Sequence, residues 1–148
     1  ALQLQTLKAA GENGAILDLA CGNGRNGIYL VQQGQRVVFS DRDKNKLDDI
    51  SRLLDPSELT SYWCVDFEEP RTEPLSLGSF SAIIVFRYLH RPLMQAIKHG
   101  VQRGGLIIYE TFTIDQTHHI QLIFAISSFQ GAGLKYQSPS IHGASYQS

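Results

Sequence analysis

Leu17-Asp18-Leu19-Ala20-Cys21-Gly22-Asn23-Gly24-Arg25-Asn26-Gly27 follows a short apolar run, Ala15-Ile16-Leu17, and carries most of the information in the chain. The residues from Arg25 to Gln33 behind the glycines read as a helix. Strand, glycine turn and helix together make a site for a nucleotide cofactor, because glycines let a ligand approach the backbone closely. Which nucleotide it takes depends on the charges around the turn, and Asp18 is the first of them.

Working outward, Leu2 to Ala10 predicts a short helix ended by Gly11-Glu12-Asn13-Gly14. Ala15 to Ala20 is the first strand, and Gly34 is placed to cap the helix after the turn. Arg36 to Ser40 is a second strand ending at Asp41. Lys44 to Leu54 carries Leu47, Ile50, Leu53 and Leu54 at helical spacing and is stopped by Asp55-Pro56. Leu59 to Val65 is a third strand ending at Asp66, and Glu68 to Ser79 is a loop punctuated by Pro70, Pro74 and Gly78.

Phe80 to Phe86 is apolar on both faces, as a central parallel strand requires. Leu89, Leu93, Met94, Ile97 and Val101 suggest a helix broken at Gly104-Gly105, and Leu106 to Tyr109 is a further apolar strand. Ile120 to Phe129 is expected to be a helix, closed by Gly131-Ala132-Gly133, with Leu134 to Gln137 as a last strand. Strands alternating with helices mean an α/β architecture. It is a Rossmann-like, doubly wound, mostly parallel sheet with helices on both faces.

The 148 residues fit one domain with a real core. Hydrophobic content of 43% and charged content of 18% suit a globular protein, and a net charge of −1 exerts no global pull on nucleic acid or acidic membranes. Arg87, Arg91, Lys98 and Arg103 read as a solvated helix face. Cys21 and Cys64 stand far apart in apolar contexts, which predicts free buried thiols in a reducing compartment. No signal peptide or membrane span is visible, so a cytoplasmic location is expected.

Three successive strands end in an acid: Asp18, Asp41 and Asp66. In open α/β sheets the ligand lies beyond the carboxyl ends of the strands, so all three acids belong to one edge. Gly22-Asn23-Gly24-Arg25-Asn26-Gly27 matches G-x-G-x-x-G, with Asp41 about 20 residues further on as the ribose-binding acid of a dinucleotide site. A pyrophosphate, however, wants backbone N–H groups and no carboxylate beside them, which Asp18 opposes. S-adenosylmethionine has no phosphate, and its sulfonium and α-ammonium complement an acid there, directly or through water. Asp41 then takes the ribose hydroxyls, while Asp66 accepts from the adenine amino group and Phe67 covers the ring.

These residues resemble the class I S-adenosylmethionine-dependent methyltransferases. Asp18-Leu19-Ala20-Cys21-Gly22-Asn23-Gly24 is similar to that family's first motif, and Asp41 to its acid after strand two. Asp66-Phe67 matches its adenine position. Val85-Phe86-Arg87-Tyr88-Leu89 is similar to its fourth motif, and Gly104-Gly105-Leu106-Ile107-Ile108 to its strand-five feature. The resemblance covers about residues 11 to 137. It implies a cofactor site of Asp18, Ala20, Gly22, Gly24, Asp41, Arg42, Asp66, Phe67 and Phe86, with Arg87 and Tyr88 facing the methyl acceptor. The run from Phe86 to Pro92 looks most like small bacterial members of a tellurite-resistance-like group.

The chain departs from the family in two places. Arg87 stands where many nitrogen-methylating members carry Asp or Asn, and a guanidinium accepts no proton from an amine. It suits an anionic or carboxylate-bearing substrate instead. The family also finishes with an antiparallel pair of strands, for which only Leu134 to Gln137 is a candidate, so a shortened C-terminal end is expected.

Plainer readings stand beside these. Asp41 and Asp66 could be strand-end acids capping the next helix. Cys21 reads as a packing residue, Trp63 as core, and His118-His119 as a solvated loop pair with no metal partner at ligand spacing. Tyr88 and His90 either face substrate or begin the next helix, and Glu110 is either a substrate contact or a salt-bridge partner.

The function expected is methyl transfer to an acceptor, with a small molecule preferred and RNA or protein left open. The alternatives are an NAD(P)-dependent oxidoreductase and a non-catalytic cofactor-binding protein of the same fold. No general base, metal, membrane partner or oligomeric state is assigned.

Overall fold

Residues 2–70, 75, 78–112 and 119–125 are described by the computed structural model. Among these residues six strands, β1 (Ile16–Leu19), β2 (Val37–Asp41), β3 (Thr60–Cys64), β4 (Phe80–Phe86), β5 (Val101–Phe112) and β6 (His119–Ala125), form one sheet. Their order is β3-β2-β1-β4-β5-β6, parallel except for β6. Helices α1 (Leu2–Gly11), α2 (Arg25–Gln32), α3 (Lys44–Leu53) and α4 (Met94–Gly100) complete the α/β fold. Among the described residues no helix is long and apolar enough to cross a membrane.

The two-residue period of the strands sorts the core into two layers. Ile16, Phe39, Ile84 and Ile108 join Leu7, Leu30, Leu47 and Ile50 of α1, α2 and α3 on one face. Leu17, Ile83, Val85 and Ile107 meet Leu93, Ile97 and Tyr109 on the other, beside α4. Adjacent residues such as Ile83 and Ile84 thus serve opposite layers, which is why β4 reads as an unbroken apolar run.

Three expectations are corrected. The segment from 119 to 125 is strand, not helix: β6 pairs antiparallel with β5 from Phe112↔His119 to Leu106↔Ala125. A short apolar run does not tell helix from strand by spacing alone, and the open edge of β5 needs backbone partners. The antiparallel strand is thus the edge neighbour of β5. The expected elements from 126 onward, including Leu134 to Gln137, lie outside the described residues.

The helix expected to reach Gly104 ends at Gly100, and Val101 already belongs to β5. Pro92 opens this region in a single turn, Arg91–Leu93, ahead of α4, and leaves Leu89 49% exposed outside the helix. The pairing of β5 with β4 jumps from Phe80↔Val101 to Ala82↔Leu106. Gly104, at φ +75°, makes that bulge, a conformation glycine adopts without a Cβ penalty. Cys64 is exposed rather than buried and Cys21 is half-buried, and both thiols are free.

Candidate functional site

Strand β1 lies between β2 and β4, so the chain runs one way from it to β2 and the other way to β4. A crevice opens at such a switch point beyond the carboxyl ends of the strands. Here it is a cavity of about 700 Å³, lined by the glycine turn, the ends of β2 to β5 and the first turns of α2 and α3. That volume lies within the range of small-molecule sites.

The turn is built from below. Asp18 shares the layer of Ile16, is 3% exposed, and its Oδ2 accepts from the Gly27 N–H at 3.0 Å. Gly27 must be glycine for this: a Cβ there would stand 2.3 Å from Phe39 Cε1 and 2.7 Å from Asp18 Oδ2. Burial raises the Asp18 carboxyl to about 7, against the Gly27 hydrogen bond, which lowers it, and with Asp41 raising it further. Gly24 packs onto Ile50. Neither Asp18 nor Gly24 lines the cavity, so the first expected acid supports the turn instead of facing the ligand space.

Above them, Ala20, Cys21, Gly22, Asn23, Arg25 and Asn26 line the wall. Around Gly22 no atom lies within 4 Å of where a Cβ would stand, so its backbone faces open space. Asp41 is 8% exposed; its Oδ2 accepts from the Gly22 N–H at 2.8 Å and its Oδ1 from the Asp43 N–H at 2.9 Å. Asp43, not Asp41, caps α3, accepting from the Asn45 N–H at 2.9 Å. Arg42 and Lys46 complete this end. The Cys21 thiol is pushed up by burial and then by the charges of Asp18 and Asp41, so it stays protonated.

At the other end, Val65, Asp66, Phe67 and Glu68 follow β3. Asp66 accepts from the Glu68 N–H at 3.0 Å. Phe67 is buried and forms a T-shaped pair with Trp63, centroids 5.4 Å apart, so the partly buried Trp63 buttresses that wall. Phe86, Arg87, Tyr88 and Glu110 close the side formed by β4 and β5. Arg87 takes φ +55° and donates its N–H to the Glu110 carbonyl at 2.8 Å. Tyr109 donates its hydroxyl to the Tyr88 carbonyl. Burial, then the carboxylates of Glu68 and Asp66, pushes the Tyr88 phenol up to about 12, so it offers an O–H donor.

Of the residues expected at the site, Ala20, Gly22, Asp41, Arg42, Asp66, Phe67, Phe86, Arg87 and Tyr88 are thus brought onto one cavity. Sequence reasoning missed Lys46, Glu68, Asn23, Arg25, Asn26 and Val65, and prefers packing over a nucleophilic role for Cys21, which the structure places on the wall. Lys46 carries no motif, since its place on the wall comes from the angle at which α3 leaves Asp41. His90 stands off the wall with Nδ1 3.8 Å from Glu68 Oε1. His119 opens β6, and His118 lies outside the described residues. Among the described residues no group of three His, Cys, Asp or Glu is placed to hold a metal ion.

Residues 16–105 match the family model described as a methyltransferase domain. The chain belongs to this family. It is an S-adenosylmethionine-dependent methyltransferase domain of class I, with S-adenosylmethionine as the cosubstrate the family implies. Solved structures share its fold. An S-adenosylmethionine-dependent methyltransferase from Mesorhizobium loti aligns with TM-score 0.59 at 22% identity, over 76% of this chain and 53% of that one. A putative one from Listeria monocytogenes gives 0.58 at 21%, over 77% and 56%. Geranyl diphosphate C-methyltransferase from Streptomyces coelicolor gives 0.59 at 17%, over 74% and 44%. The methyltransferase domain thus spans about half the length of these structures. No curated protein matches it in sequence.

The residues present fit the cosubstrate. A turn with open space at Gly22 admits a ligand against its backbone, and a buried carboxylate at Asp41 supplies acceptors for hydroxyl groups. Phe67 provides an apolar ring beside the acceptor Asp66.

Proposed function

We propose that this domain transfers a methyl group from S-adenosylmethionine to a small-molecule acceptor. The observation that supports this best is the gathering of Gly22, Asp41, Asp66, Phe67, Arg87 and Tyr88 on a single cavity in a chain of this family. When bound, S-adenosylmethionine supplies an electrophilic methyl carbon. In this reading Asp41 accepts from the ribose hydroxyls, Asp66 accepts from the adenine amino group and Phe67 covers the ring. Ala20 and Gly22 run beneath the methionine end, with Arg42 and Phe86 flanking the nucleoside.

Asp18 acts through α2: it holds the Gly27 N–H and so fixes the turn. It is a positioning residue. The chain's contribution to rate is orientation of the acceptor against the methyl carbon, without a protein nucleophile. Arg87 and Tyr88 form the acceptor side, where a guanidinium and a phenol O–H suit a carboxylate-bearing or otherwise anionic molecule.

Incubation with methyl-labelled S-adenosylmethionine and a size-fractionated cell extract tests the proposal. Label is expected in the small-molecule fraction and lost on boiling the protein. Label in RNA or protein would replace the acceptor class. Tight cofactor binding without any transfer would favour the non-catalytic reading.

A further inference from the structure

Arg87 and Tyr88 reach the cavity from the stretch that leaves β4, and that stretch belongs to no regular element. It runs from Arg87 to His90, between the end of β4 at Phe86 and the turn that opens at Arg91. Arg87 sits at φ +55°, a conformation that a residue with a Cβ takes only at a cost. Contacts from outside the stretch must therefore keep it there.

Those contacts come from β5. The Glu110 carbonyl accepts from the Arg87 N–H at 2.8 Å, which carries the β4–β5 pairing one step past Phe86. Tyr109, one residue earlier, is buried in the layer of Phe67 and Leu93. Its hydroxyl donates to the Tyr88 carbonyl. Burial pushes this phenol up, and the backbone N–H of His90, directed at the phenol oxygen, opposes that rise. One hydroxyl thus meets a carbonyl and an N–H on either side of Leu89, which is itself 49% exposed and anchors little by burial. The remaining tie, His90 Nδ1 at 3.8 Å from Glu68 Oε1, is a partly exposed pair of small worth.

We propose that Tyr109 is a positioning residue for methyl transfer, whose hydroxyl sets Arg87 and Tyr88 against the acceptor. The inference rests on the functional reading above, in which those two side chains form the acceptor side. Tyr109 does not line the cavity; it acts through the backbone of Tyr88 and His90. Without the hydroxyl the Tyr88 carbonyl loses its donor and the stretch is free to take other placements. The ring still fills the layer it shares with Phe67, so the cosubstrate side keeps its packing.

Tyr109→Phe makes that change alone. Ile107→Val, in the same layer and on the same strand, is the control for lost stability, since it trims the core and touches no polar contact of the stretch. Each whole chain is given saturating methyl-labelled S-adenosylmethionine over a dilution series of the small-molecule fraction of a cell extract. Affinity for S-adenosylhomocysteine is measured beside it by calorimetry. Tyr109→Phe is expected to lower the plateau rate about tenfold, the mark of a misplaced acceptor. Its affinity for S-adenosylhomocysteine is expected to stay within about twofold of the parent, and Ile107→Val to keep both quantities within about twofold.

An undiminished plateau in Tyr109→Phe overturns the inference. So does a parallel loss of plateau and S-adenosylhomocysteine affinity, which marks general damage, or an equal loss of plateau in Ile107→Val. In each of those outcomes the parent still transfers label, so the functional reading stands and this inference falls alone. If the parent transfers none, the functional reading falls and this inference falls with it.

Discussion

Asp18 holds its proton up to about pH 7 in the folded chain, whereas its ordinary value is 3.8. Between those values the folded state binds the extra proton, so stability falls as pH rises through the interval and is unaffected below it. Asp18→Asn keeps an acceptor for the Gly27 N–H without the buried charge. Urea denaturation should find the variant more stable than the parent at about pH 8 and nearly equal to it at about pH 4. A parent chain equally stable at both, with no gain in the variant, contradicts this. Next to it, Gly27→Ala forces a methyl into Phe39 and the Asp18 carboxylate. It should cost about 1–3 kcal/mol in the same measurement, the scale of overpacking. Asp41→Ala removes the acceptor proposed for the ribose and should weaken S-adenosylhomocysteine binding by about 1–3 kcal/mol, the scale of a charge-assisted hydrogen bond; unchanged affinity would remove Asp41 from the site.

Among the elements, β4 and β5 carry the acceptor side between them. Two bonds from β5 hold the chain as it leaves β4: Tyr109 hydroxyl to the Tyr88 carbonyl, and Glu110 carbonyl to the Arg87 N–H. Arg87 is thereby kept at positive φ, a cost borne at the cavity edge. Tyr109→Phe keeps the buried ring and loses the first bond. It should lower stability by about 1 kcal/mol and speed amide hydrogen exchange at Arg87 more than at Ile84; equal protection would mean the loop stands without Tyr109. The elements the sequence made legible are those with punctuation or continuous apolar runs, such as β4 between Gly78 and Arg87. What it hid depended on partners: the bulge at Gly104 is set by β4, and β6 is a strand because β5 offers it an edge.

For the whole molecule, the order β3-β2-β1-β4 puts the crevice at the carboxyl ends of these strands, where Asp41 and Asp66 line it, and that much followed from sequence spacing. The role of the first acid did not, because strand alternation under α2 turns Asp18 into the core. Lys46 and Glu68 were equally hidden, since helix and loop angles bring them to the wall. The central claim is that this cavity serves a methyltransferase cosubstrate and not a nicotinamide dinucleotide, although Gly22 to Gly27 spells the fingerprint of both. Parallel calorimetric titration with S-adenosylhomocysteine and NADH tests it directly. Saturable binding of S-adenosylhomocysteine, lost or weakened in Asp41→Ala, with NADH weaker, is the predicted result. Binding of NADH with none of S-adenosylhomocysteine would contradict it.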